Sequence, residues 1–186
     1  MSRGLAQPIG GDPNRPPHAA SVAVVALGSN LGDRAQTIDE AVRDIARLPL
    51  VDAISVSTPI ESVAVTLEGP DADAPPYLNA VALVTTRLAP TVLLTLLHRI
   101  EAAHGRERRA PAGGQEPRWG DRTLDLDLIA YGNVIVDTPA LTLPHPRAAE
   151  RDFVLEPWLA VDPDAVLPGS GRVADLLAAV REGGRE

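Results

Sequence analysis

Asp125 and Asp127 stand two residues apart in Thr123-Leu124-Asp125-Leu126-Asp127-Leu128, a run that alternates strictly between polar and apolar side chains. In an extended strand, side chains two apart share a face. Leu124, Leu126 and Leu128 then point one way and the two carboxylates the other. Strand rise sets the two aspartate Cα atoms ~6.5–7 Å apart. Carboxylates so placed can converge on Mg²⁺, which takes oxygen ligands and usually completes its shell with water and substrate phosphate. The same pair can bridge two ions ~3.5–4 Å apart. The competing reading is an amphipathic strand with two solvated carboxylates. The flanking Arg118 and Arg122, with two flexible segments able to close over a ligand, favour the metal; like charges this close also repel, and a cation relieves them.

A locally basic stretch precedes and enters this run: Arg99, Arg106, Arg108, Arg109, Arg118 and Arg122, in a chain of formal net charge −8. Guanidinium forks grip phosphate oxygens bidentately, so the stretch is a candidate seat for a small polyanion, against the plainer reading of a solvated loop. The overall acidity argues against a general nucleic-acid binder. All 17 basic residues are arginine. Without lysine there is no Walker A loop, no protein-kinase strand lysine and no Schiff-base chemistry. Cysteine is absent too, which removes disulfides, thiolate catalysis and cysteine zinc sites. Glu101 and His145 (the latter between Pro144 and Pro146) are further polar candidates. Trp119 and Phe153 are among few aromatics, fit either to stack on a flat ligand or to fill a core.

The elements that must position these residues can be read from periodicity. Residues 1–20 are Pro- and Gly-rich without period, a disordered tail on this reading, with a single domain over 21–186. That tail lacks the apolar segment of a secretory signal, which points to the cytoplasm. Val22 to Leu27 reads as a buried strand ended by Gly28-Ser29-Asn30. A helix follows over Arg34–Leu48, with Asp33 as N-cap and Ile38, Ala41, Val42 and Ile45 on one stripe. Ala53–Ser57 reads as a second strand and Thr58–Pro76 as a long loop. Tyr77–Arg87 returns to strand. Pro90 opens a helix to about His104, with Val92, Leu93, Leu96, Leu97 and Ile100 inward and Gly105 as C-cap. Residues 109–117 form a second flexible segment. Arg122–Tyr131 is a strand, with Val134–Val136 its pairing partner across the Gly132-Asn133 turn, and the remainder is mostly helical. The order β-α-β-β-α-β with a C-terminal extension suits an α+β, ferredoxin-like sheet with helices on one face.

Taken together, the runs Ala26-Leu27-Gly28-Ser29-Asn30-Leu31-Gly32-Asp33-Arg34, Tyr77-Leu78-Asn79-Ala80, Arg99-Ile100-Glu101 with Gly105-Arg106, Arg118 to Asp127, and Pro144-His145-Pro146-Arg147 reaching Arg151 and Phe153 resemble one family. It is the 6-hydroxymethyl-7,8-dihydropterin pyrophosphokinase family of folate biosynthesis. The resemblance implies transfer of the diphosphate of ATP to the pterin hydroxymethyl group, releasing AMP, by a cytoplasmic monomer that binds neither nucleic acid nor membrane. It implies two Mg²⁺ ions on Asp125 and Asp127, and catalytic roles for Arg106, Arg118 and Arg122 beside them. ATP would be held by Glu101, Arg106, Arg108, Arg118, Trp119, Arg122, His145 and Arg151. The pterin would meet Ser62, Val65, Tyr77, Asn79, Trp119 and Phe153. Ile60-Glu61-Ser62-Val63-Ala64-Val65-Thr66 departs from the family's usual Tyr-Glu-Thr-x-Pro-x-Gly. That departure leaves open a related transferase acting on another small alcohol. A ferredoxin-like binding module without turnover is the third reading.

Overall fold

The computed structural model describes residues 9–10, 14, 19–66, 69–71, 75–107 and 123–183. Its main strands are β1 (Ser21–Ser29), β2 (Val51–Val56), β3 (Ile60–Ser62), β4 (Tyr77–Thr86) and β5 (Asp125–Tyr131). Helices α1 (Arg34–Ala46) and α2 (Pro90–Glu107) connect them. After β5 come the hairpin strands β6 (Val134–Thr138) and β7 (Leu141–Leu143), then α3 (Asp152–Val161) and α4 (Val173–Gly183).

The sheet runs β2-β4-β1-β5 with every neighbour antiparallel, and β3 pairs with the first residues of β4. This is the ferredoxin-like arrangement expected from the order of elements. The central strands β1 and β4 are apolar along most of their length because both of their faces are covered. On one face Val25, Leu27, Ala82, Leu126 and Leu128 pack with Ile38, Ala41 and Ile45 of α1 and Leu93 and Leu97 of α2. On the other, Val24, Val81 and Ile129 pack with Val154, Leu155 and Trp158 of α3 and Leu177 of α4. Helices on a single face therefore describes α1 and α2 only. The C-terminal extension covers part of the second face, the one that also bears Asp125 and Asp127.

The α1 start is as expected: the Asp33 side chain accepts the Gln36 N–H at 3.0 Å, the geometry that makes Asp a good N-cap. Several local expectations are corrected. The segment read as a loop over Thr58–Pro76 contains β3 and a short antiparallel pair, Ala64–Thr66 with Gly69–Asp71. Three-residue strands are too short to show alternation; β3 is made by its distant partner β4, and Ala64–Thr66 by the neighbouring Gly69–Asp71. Helix α2 continues through Gly105, which is not among the residues with positive φ, since one glycine costs a helix only about 1 kcal/mol. Val92 is 45% exposed, whereas Leu93 and Leu97 are fully buried. The last strand of the sheet starts at Asp125 rather than Arg122, and β6 pairs with β7 instead of β5. Ile9–Gly10 runs parallel to Val134–Ile135 on the same hairpin. Among the described residues no helix is long and apolar enough to cross a membrane.

Candidate active site

One transverse row of the sheet organises the site. Gly28 on β1 pairs with Asn79 of β4 on one side and with Asp125 of β5 on the other, and Asn79 pairs in turn with Ile60 of β3. Residues directly opposite in a ladder share a face. Asn79 and Asp125 thus stand on the same side of the sheet, separated by a residue with no side chain. A Cβ added at Gly28 would lie 3.4 Å from Asn79 Oδ1, 3.7 Å from Tyr77 Cδ1 and 3.9 Å from Asp125 Cβ. The glycine leaves a strip of backbone without a side chain, a candidate floor ringed by Asn79, Tyr77 and Asp125, between the residues expected at the pterin and those expected at the metal. Asn79 is buried, and its Nδ2 donates to Ser62 Oγ at 2.8 Å. With Nδ2 on Ser62, the carboxamide Oδ1 is turned toward Gly28.

Asp125 and Asp127 are half-buried, with Leu124, Leu126 and Leu128 buried between them on the opposite face, as the alternation requires. Asp127 Oδ2 accepts from Arg151 Nη1 at 3.1 Å. The Arg151 guanidinium also lies over the Phe153 ring, 5.7 Å from its centre, within cation–π range. Arg151 therefore spans two candidate binding groups, a carboxylate and an aromatic face. Glu101 reaches β5 from α2, and its Oε1 accepts the Leu126 N–H at 2.7 Å. Burial pushes the Glu101 carboxyl up to about 7; the Leu126 bond opposes this, while the charges of Asp125 and Asp127 add to it. Three carboxyl groups close together on a half-buried surface form a field that favours protons or cations.

His145 is held by its backbone, whose N–H donates to the Ile129 carbonyl at 2.8 Å, and follows the cis Leu143-Pro144 peptide. The Arg147 N–H donates to His145 Nδ1 at 3.2 Å. A backbone N–H can only donate, so Nδ1 is the acceptor and the neutral ring carries its proton on Nε2. Burial lowers the His145 pKa; Asp127 opposes this, and Arg151 and Arg147 reinforce it. His145 thus offers a neutral Nε2–H donor.

Beside Asp127 and His145 opens a cleft of ≈ 280 Å³, walled by Leu94, Leu128 and the β6–β7 turn Thr138-Pro139-Ala140-Leu141-Thr142. Sequence reasoning missed this wall. Its residues are ordinary apolar and turn types, and only the hairpin's fold back toward α2 makes them a lining. A cleft of ≈ 420 Å³ between α1 and α2 lies away from the aspartates, among charged side chains such as Arg43, Asp44 and Arg47. The structure brings together Ser62, Tyr77, Asn79, Glu101, Asp125, Asp127, His145, Arg151 and Phe153 on or beside the β3-β4-β1-β5 surface. Arg106 lies in the last turn of α2 and Val65 in a short strand, both with side chains outside the described set. Arg108, Arg118, Trp119 and Arg122 lie outside the described residues.

Comparison with known proteins bears on the family and the fold. The family model for 7,8-dihydro-6-hydroxymethylpterin-pyrophosphokinase matches residues 24–163. The 2-amino-4-hydroxy-6-hydroxymethyldihydropteridine pyrophosphokinase of Haemophilus influenzae is 39% identical over 155 residues, covering 83% of this chain and 90% of that protein. Its counterpart from Pseudomonas aeruginosa is 41% identical over 155 residues, 83% and 89% of the two chains. Among solved structures, an HPPK-DHPS of Plasmodium falciparum superposes with a TM-score of 0.62 at 12% identity, over 90% of this chain and 45% of that one. This chain spans less than half of that protein, and the likeness supports the fold alone. On the matched residues and the shared identity, the chain belongs to the 7,8-dihydro-6-hydroxymethylpterin-pyrophosphokinase family.

Proposed function

We infer that this chain transfers the β,γ-diphosphate of ATP to the hydroxymethyl group of 6-hydroxymethyl-7,8-dihydropterin, giving the pterin diphosphate and AMP in folate biosynthesis. The observation that supports this reading is the Asn79–Gly28–Asp125 row, in which a carboxamide that would read a ring edge and a carboxylate that would hold metal flank the Gly28 backbone. The pterin would lie on that floor, its edge read by Asn79 Oδ1, with Tyr77 alongside and Phe153 stacking on its face. Its hydroxymethyl group would then reach toward Asp125. The nucleoside would fill the cleft walled by Leu94, Leu128 and the β6–β7 turn, placing its phosphates over Asp127 and His145.

Asp125 and Asp127 suit Mg²⁺ by their donor chemistry: two hard carboxylate oxygens on one face, beside a Glu101 carboxyl raised chiefly by burial and further by their charge. Among the described residues no group of three or more His, Asp or Glu is placed to hold a metal alone. An Mg²⁺ ion held by these two carboxylates would be completed by water and substrate phosphate. Two Mg²⁺ ions bound there would neutralise the phosphates and the attacking oxygen. The chain's own residues orient and stabilise charge. His145 donates Nε2–H to a phosphate oxygen, and Arg151 exchanges Asp127 for phosphate as the nucleotide arrives. The hydroxyl oxygen bonds to the β-phosphorus, the bond from that phosphorus to the α,β-bridging oxygen breaks, and the hydroxyl proton passes to solvent. Arg106, Arg108, Arg118 and Arg122 would contact the phosphates, with Trp119 at the nucleotide and the pterin and Ser62 and Val65 bordering the pterin. The enzyme would act as a monomer, as the family resemblance implies.

Incubation with ATP, Mg²⁺ and the pterin alcohol tests the reading. AMP released only when the pterin is present supports it. ADP in place of AMP, or release that ignores the pterin, overturns it.

A further inference from the structure

Leu126 sits between the two aspartates on β5, the outermost strand of the sheet. An edge strand leaves every second backbone amide without a neighbouring strand to receive it. At Leu126 that gap falls over the core: its side chain is 1% exposed and packs with Leu93 and Leu97 of α2 in one cluster. An amide buried without an acceptor is costly. Here the acceptor is Glu101, one residue beyond the buried Ile100 on α2, through Oε1 at 2.7 Å. The same carboxyl group hydrogen-bonds to Asp125. A single side chain therefore grips both the peptide between the aspartates and one of the aspartates themselves.

We propose that Glu101 is a positioning residue: it clamps the Leu126 peptide and Asp125, holding both carboxylates in the register a divalent cation needs, without itself touching cation or nucleotide. The resemblance implied a nucleotide contact instead. The two roles require different things of the side chain. A clamp needs an acceptor for the Leu126 N–H and a group able to hydrogen-bond with Asp125. A ligand needs the negative charge. Glutamine separates them, because its Oε1 accepts the same N–H and its Nε2 donates to Asp125. Alanine supplies neither. The inference rests on the Mg²⁺ reading of Asp125 and Asp127, although one of its two readouts does not.

The test compares wild type, Glu101→Gln and Glu101→Ala in the full chain. Amide exchange at Leu126 in the metal-free protein is the first readout. Mn²⁺ affinity with a non-hydrolysable ATP analogue, followed by electron paramagnetic resonance, is the second. Protection at Leu126 should fall about tenfold or more in Glu101→Ala and persist in Glu101→Gln. Loss of a residue that orients metal ligands typically weakens binding about 10–100-fold. Mn²⁺ affinity should follow that scale in Glu101→Ala and return to within about threefold in Glu101→Gln. Should Glu101→Gln bind Mn²⁺ as poorly as Glu101→Ala while Leu126 stays protected, the charge matters and the clamp is wrong. Full protection of Leu126 in Glu101→Ala would also sink it. If wild type holds no Mn²⁺ with the analogue, the metal reading fails, while Leu126 exchange still decides whether Glu101 clamps the strand.

Discussion

A methyl group at position 28 would meet Asn79 Oδ1 at 3.4 Å and the Asp125 Cβ at 3.9 Å. No positive φ marks Gly28, so a side chain there acts through space rather than through backbone strain. Gly28→Ala should raise KM for the pterin about tenfold with a smaller change for ATP, and Gly28→Val should leave almost no turnover. Steady-state kinetics with each substrate varied in turn checks this, and an equal rise in both KM values would count against the assigned floor. Asp125→Asn and Asp127→Asn should each lower kcat more than about a hundredfold, the scale of losing one electrostatic stabiliser in a site, with circular dichroism unchanged. A near-normal rate in either variant would remove that residue from the metal site. The aspartates were legible in the sequence because alternation places both on one face within four residues. Gly28 carried no such signal. Its role exists only once three strands bring Asn79 and Asp125 to its sides.

At the scale of elements, what sequence foretold depends on how local the cause is. The Asp33 cap and the Ile38, Ala41 and Ile45 stripe are set within one helix, and both are present. The pairing of β6 with β7, the strand character of Ile60–Ser62 and the cleft wall at Thr138–Thr142 depend on distant partners, and none was visible beforehand. Tyr131, at the end of β5, shows how such distant ties hold the sheet. It is 2% exposed, and its hydroxyl donates to the Leu88 carbonyl at 2.6 Å, joining β5 to the segment that leads into α2. Burial raises its pKa, consistent with a phenol that remains protonated and donating. Tyr131→Phe keeps the ring and orphans the carbonyl, so unfolding in urea should show a loss of about 1–3 kcal/mol. A variant as stable as wild type would mean water replaces the lost donor.

The whole molecule registers its site through pH. Glu101 has a folded-state pKa of about 7 against an ordinary 4.5, so between those values the native state holds a proton that the unfolded chain has released. Stability from this group is fully present below about 4.5 and is lost as pH rises through about 7. His145 has the opposite sign: its depressed pKa means that stability is lost as pH falls below the ordinary 6.5. The two overlap in wild type, so the informative quantity is the Tm of wild type minus that of Glu101→Gln, in which every other group cancels. In metal-free buffer that difference should fall by several degrees from pH 4.5 to 7.5, at roughly 2–4 °C per kcal/mol for a chain of this size. Saturating Mg²⁺ with an ATP analogue should reduce the fall, because burial still holds the Glu101 proton while cations beside Asp125 and Asp127 offset the charges that add to it. A difference that rises with pH, or one indifferent to bound Mg²⁺, would mean that Glu101 does not share the electrostatic environment of the aspartate pair.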